Sequence, residues 1–98
     1  MEGFNELIHQ PVRLRIMAAL NALPPDSEVD FSTLRDVLKT TDGNLGAHLR
    51  KLEDAGYITV RKTFVNRKPR TFISMTPKGK AAFEMHIAAL KSIISGGE

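Results

Sequence analysis

Residues 41–57 read TDGNLGAHLRKLEDAGY, and the fold turns on this stretch. Leu45, Leu49 and Leu52 recur at helical spacing and form one apolar stripe. Thr41 suits the N-cap, and Asp42 sits favourably against the positive end of a helix dipole. Gly56 suits the left-handed residue that ends a helix. Yet Gly43 and Gly46 fall near the front, where each glycine costs roughly 1 kcal/mol against alanine inside a helix. The side opposite the leucines carries Gly43, Ala47, Arg50 and Asp54, flanked by Gly46 and Lys51. The outward surface therefore begins with small residues and continues with arginine and lysine.

Working outward toward the N-terminus, TLRDVLK (33–39) carries Leu34, Val37 and Leu38 toward a core. Ser32 suits its N-cap, and VDF (29–31) is a brief extended piece before it. Thr40 begins the TTDG break between this helix and the next, which makes residues 32–56 a helix-turn-helix. PPDSE (24–28) is a loop by composition. PVRLRIMAALNAL (11–23) opens with a proline suited to the first helical position. Val12, Ile16, Leu20 and Leu23 mark its buried face, widened by Leu14 and Met17. Phe4, Leu7 and Ile8 predict a short helix ahead of it.

Toward the C-terminus the period changes. YITVRKTF (57–64) places Ile58 and Val60 on one face, with Tyr57, Thr59 and Arg61 on the other. RTFISMT (70–76) is also rich in strand formers, and VNRKP (65–69) is a polar turn between them, so residues 57–76 read as a β-hairpin. Thr76-Pro77 is a cap followed by a proline at the first helical position, starting a helix over 77–95 that Gly96 and Gly97 end. The order of elements predicts an α+β, mostly α fold. It is a winged helix-turn-helix filling one domain, 1–98, with the hairpin as wing and the last helix as a dimerisation element.

The chain has 98 residues, enough for one small domain with a modest core. It has no cysteine, which excludes disulfides, thiolate metal sites and cysteine nucleophiles. No apolar run approaches membrane-spanning length and MEGFNELIHQ has no secretory pattern, which fits a cytoplasmic protein without a membrane partner. The net charge of +3 is unevenly spread. Residues 1–40 carry four basic and six acidic side chains, residues 41–70 seven and three, and residues 71–98 three and two. A basic middle third points to a polyanionic partner, against the plainer reading of a solvated face.

A DNA-reading helix enters the major groove by its N-terminal end. Small residues at Gly43, Gly46 and Ala47 let its backbone approach the groove walls, and free N–H groups near Thr41 and Asp42 can then meet phosphate. Asn44 and Arg50 can make paired hydrogen bonds to adenine and guanine edges; Asn44 equally serves helix-start chemistry, and Arg50 equally holds a phosphate. His48 lies nearer the buried side and reads as a boundary residue. From Arg61 to Arg70 stand five basic residues and no acidic one: Arg61, Lys62, Arg67, Lys68 and Arg70. Such a hairpin can lie on phosphates or place arginine in a narrow minor groove; otherwise its charges protect a sheet edge.

Phe83, Ile87, Leu90 and Ile94 form a stripe on the last helix, with Ala82, Ala89 and Ile93 beside it. This is more apolar area than one packed face needs, and the economical partner is the same helix of a second subunit; the alternative is one broad core face. The three histidines are far apart in sequence and have no metal-ligand spacing. No phosphate loop or nucleophile elbow is present, so no enzyme, metal site or cofactor is expected.

In HQPVRLRIMAAL (9–20), FSTLRDVLKTTDGNLGAHLRKLEDAGYI (31–58), the arginine-containing wing and TPKGKAAFE (76–84), the chain resembles winged-helix transcriptional regulators of the MarR/ArsR type. It is most similar to their short, compact members, over nearly its whole length. The resemblance implies a two-fold dimer that binds double-stranded DNA and represses or activates transcription. It implies Thr41–Ala55 as the recognition helix and 65–69 as the wing tip. The absent cysteines rule out the thiolate sensing of many ArsR relatives. No operator, gene or small-molecule effector is legible. A winged-helix protein-interaction module without operator binding is the alternative, since fold does not fix function.

Overall fold

A computed structural model describes residues 2–96. Its elements run α1 (Glu6–His9), α2 (Pro11–Asn21), β1 (Val29–Asp30), α3 (Phe31–Leu38), α4 (Asp42–Asp54), β2 (Ile58–Val65), β3 (Lys68–Met75) and α5 (Pro77–Ile94). This is the expected winged-helix order. Gly97, expected beside Gly96 at the end of α5, lies outside the described residues.

The local signals act largely as read. Thr41 caps α4, its side chain accepting from the Asn44 N–H at 3.1 Å. Gly56 has φ +80°, and the N–H groups of Gly56 and Tyr57 close back on the carbonyls of Glu53 and Leu52. That pair of bonds satisfies the last carbonyls of α4 and turns the chain into β2. Lys39, at φ +54°, makes the same turn between α3 and α4 without a glycine. α2 ends at Asn21, short of Leu23, which packs half-buried from the following turn.

Two local expectations are corrected. The N-cap of α3 is Asp30, not Ser32: its carboxylate accepts from the N–H groups of Ser32 and Thr33 at 3.1 and 3.3 Å. An extended residue just before the helix is the one able to aim its side chain at those free donors. Val37 is 61% exposed. The buried stripe of α3 runs through Leu34 and Leu38 with Phe31 beside it, and Val37 lies about 100° from Leu38 around the axis.

The sheet is antiparallel with order β1-β3-β2. β1 pairs only over Val29↔Ile73 and Asp30↔Phe72, so the far end of the hairpin is two-stranded. Asn66 and Arg67 form its turn, both at positive φ (53° and 66°), the conformation that a two-residue hairpin loop requires. The turn is narrower than the expected 65–69 tip, because Lys68 and Pro69 already pair with Val65 and Phe64.

Ile16, Met17, Leu20, Leu34, Leu45, Leu52, Ile58, Ile73 and Phe83 form one core between helices and sheet. The start of α5 is locked onto the start of β2. Thr76 donates its hydroxyl to the Gly56 carbonyl at 2.6 Å and accepts from the Gly79 N–H at 3.0 Å. A Cβ on Gly79 would lie 2.0 Å from the Tyr57 carbonyl oxygen, so only glycine fits there. The TPKG run is thus a joint between wing and last helix.

Candidate nucleic-acid interface

α4 rests on α2 and β2 through Leu45, Leu49 and Leu52, which turns its opposite side outward. Gly43, Asn44, Ala47, Arg50 and Lys51 are exposed and Gly46 half-exposed. A Cβ at Gly43 or Gly46 would meet nothing within 4 Å, so packing inside the protomer demands neither glycine. Asn44 donates from Nδ2 to Thr40 Oγ1 at 2.7 Å, which holds its side chain over the helix start.

Asp42 is not a free charge. Arg35 Nη1 donates to its carboxylate at 2.8 Å while Arg35 Nε donates to Asp36 at 3.0 Å. The two carboxylates raise the Arg35 pKa, Asp42 contributing first through its hydrogen bond. The helix N-terminus therefore presents its N–H groups with the nearest acid already countered. His48 is half-buried, its Nδ1 3.0 Å from Arg13 Nη1. Burial, then the charges of Arg13 and Lys51, push its pKa below the ordinary histidine value, which suits the expected boundary role.

The wing corrects the expectation of five unopposed charges. Arg61 is bound to Glu28 by two hydrogen bonds and lies over the Phe72 ring, 4.8 Å from its centroid. Arg70 Nε stands 3.6 Å from Asp30 Oδ1. No acid lies in the hairpin itself, but the pairing of β1 with β3 brings Glu28 and Asp30 alongside. Lys62, Arg67 and Lys68 are exposed, with no ion pair among the described residues.

Alternation along the strands divides these charges between two faces. Val60, Lys62 and Phe64 share one face with Thr71 and Pro69 across the register. Arg61, Lys68 and Arg70 lie on the other. The first face borders α4: Gly46, Arg50 and Glu53 line a groove of about 360 Å³ together with Val60, Lys62 and Thr71. The structure so brings Gly46, Arg50 and Lys62 to one cleft, and directs Arg61 and Arg70 away from it.

On α5, Phe83 belongs to the protomer's own core, and Ile87 packs half-buried against it. This removes Phe83 from the expected subunit contact. Leu90 is half-buried, and Ile94 is 83% exposed. Ile94 follows Phe83 by three helical turns on nearly the same side, so the stripe continues beyond the core that covers its beginning.

Sequence reasoning missed a histidine pair. His86 is fully buried, and its Nδ1 accepts from the Asn5 N–H at 2.9 Å. Its Nε2 lies 3.3 Å from His9 Nδ1, and the Phe4 ring stands edge-on at 4.9 Å. With Nδ1 accepting, the proton sits on Nε2 and points at His9. Burial and then His9 lower the His86 pKa. The signal was His86 at three residues after Phe83, on the same apolar stripe. Among the described residues no group of three or more potential metal ligands occurs. No helix there is long and apolar enough to cross a membrane.

A family model described as a winged helix DNA-binding domain matches residues 12–94. An uncharacterized protein of Methanocaldococcus jannaschii is 35% identical over 82 residues, 84% of this chain and 86% of that protein. The structure of a transcriptional regulator homologue from Pyrococcus horikoshii OT3 is also 35% identical, with a TM-score of 0.84 over 94% of this chain and 88% of that one. A MarR-family regulator from Enterococcus faecalis V583 shares the fold at 24% identity and a TM-score of 0.69, covering 91% and 74% of the two chains.

Proposed function

We propose that this chain, which belongs to the winged helix DNA-binding domain family, is a homodimeric regulator that reads a specific duplex sequence. The family and the likeness to the Pyrococcus homologue support reading it as a transcriptional regulator rather than an enzyme. In our reading the front of α4 enters the major groove, with Thr41, Gly43, Gly46 and Ala47 against the groove walls. Arg50 and Asn44 reach base edges, and Lys51 meets phosphate. From the wing, Lys62, Arg67 and Lys68 follow the backbone into the neighbouring minor groove. Exposed Ile94 and half-buried Leu90 and Ile87 meet their counterparts on a second copy.

The observation that carries this reading is the bare front of α4. Of two glycines that packing in the protomer does not need, Gly46 lines one cleft with the exposed cations Arg50 and Lys62, and Gly43 stands one turn before it on α4. Close approach of a polyanion gives both features a purpose. The test is binding to random and selected duplexes as salt rises. Each phosphate contact should steepen the fall of log affinity against log salt by roughly 0.9. A selected sequence should bind at least about a thousandfold more tightly than random duplex. Retention on no duplex at low salt would contradict the proposal.

A further inference from the structure

We propose that the ring of Phe64 enters the minor groove of the bound duplex as an apolar probe on the DNA-facing side of the wing. The inference rests on the reading of α4 and the wing given above. Phe64 is 72% exposed on the last paired stretch before the turn at Asn66 and Arg67. Its partner in the register, Pro69, is exposed as well. Strand alternation puts both on the face of Val60 and Lys62, which line the cleft with Gly46 and Arg50. The ring therefore stands on the side of the hairpin that α4 shares.

A large apolar side chain at a hairpin end is a liability in water, and no residue of the protomer's core covers this one. Its surroundings name the occupant. Lys62 shares its face, Arg67 stands in the adjoining turn, and neither has an ion pair among the described residues. The matching surface is apolar but recessed between negative charges. A minor groove has that form, with phosphates along its rims and sugar and base carbons within, and apolar wedges are a known means of entering it. An added peptide strand would extend the sheet at an edge, on the outer side of β2 or on β3 beyond β1, and leave the face that carries Phe64 uncovered.

The test uses the full chain and a duplex that the wild type selects from a random pool. The base pairs flanking the α4 contacts are made A·T, G·C or inosine·C. Guanine places its 2-amino group in the minor groove; inosine lacks that group and keeps the same major-groove edge. Wild type should bind the A·T and inosine flanks alike and the G·C flank about tenfold more weakly. Phe64→Ser should lose about tenfold on the A·T flank and treat all three flanks alike. Its melting temperature and salt slope should match wild type, since the ring is exposed and uncharged. Phe64→Ser with wild-type affinity and wild-type flank discrimination would overturn the inference alone. Wild type that binds no duplex would overturn the DNA reading on which it rests.

Discussion

Arg61 holds Glu28 through two parallel hydrogen bonds, Nε to Oε2 at 2.9 Å and Nη2 to Oε1 at 2.8 Å, while the adjacent Lys62 lines the α4 cleft with no ion pair among the described residues. The pairing lowers the Glu28 pKa and raises that of Arg61. Neighbours in sequence thus differ: Arg61 braces the hairpin, and Lys62 is the one our proposal gives to the duplex.

Lys62→Ala should flatten the salt slope of duplex binding by about 1 per protomer. Arg61→Ala should leave that slope nearly unchanged, and so should Glu28→Gln, because Arg61 lies on the face turned away from the cleft. Anisotropy titrations across salt concentrations measure all three. An Arg61→Ala slope as flat as that of Lys62→Ala would show that Glu28 does not occupy the arginine.

Gly79→Ala should destabilise the protein by more than about 2 kcal/mol, because the Tyr57 carbonyl is backbone and has little room to retreat. Denaturant unfolding measures this. A loss under about 0.5 kcal/mol, the range of ordinary surface changes, would mean that the joint between α5 and β2 is loose.

These two cases mark the limit of what the sequence discloses. The caps at Thr41, Gly56 and Thr76 act through bonds to residues within five positions and are legible locally, whereas the bond from Thr76 to the Gly56 carbonyl, 20 residues back, is not. The apolar period exposed α4 and α5 for the same reason. The partners of Arg61 and Arg70 are set by the register of β1 on β3, across more than thirty residues, and no local pattern carries it. His9 and His86 meet only because α1 docks on α5. In the sequence Phe64 is one more strand former; its exposure follows from the hairpin extending past β1.

The His86 environment predicts a pH dependence. Its pKa is lowered on folding, so the unfolded chain binds the proton more readily. Stability should be fully present above the ordinary histidine value of about 6.5 and decline as pH falls from there through the lowered value. The slope contributed by one histidine is at most about 1.4 kcal/mol per pH unit. His48 is shifted in the same direction and adds to the decline. His86→Gln should flatten, not abolish, the slope of unfolding free energy between pH 7 and pH 5 (about the span of histidine titration). An unaltered slope would assign the acid sensitivity elsewhere.

Ile94→Glu should shift the protein from dimer to monomer without lowering the protomer's melting temperature at high dilution, because Ile94 is exposed in the protomer. A carboxylate buried between subunits without a partner is costly. Sedimentation reads the outcome. Wild type already monomeric at about tens of micromolar would remove the dimer from the account.

The central claim, that the front of α4 lies close against DNA, is tested most directly by Gly46→Gln, with melting and operator binding measured on one preparation. A side chain there enters open space, and glutamine is a better helix former than glycine. The variant should gain something under about 1 kcal/mol of stability. The same side chain would stand between the helix and the groove, so specific binding should weaken by about tenfold or more, about 1.4 kcal/mol. Higher melting with weaker binding is the predicted result. Higher melting with wild-type operator affinity would contradict the claim.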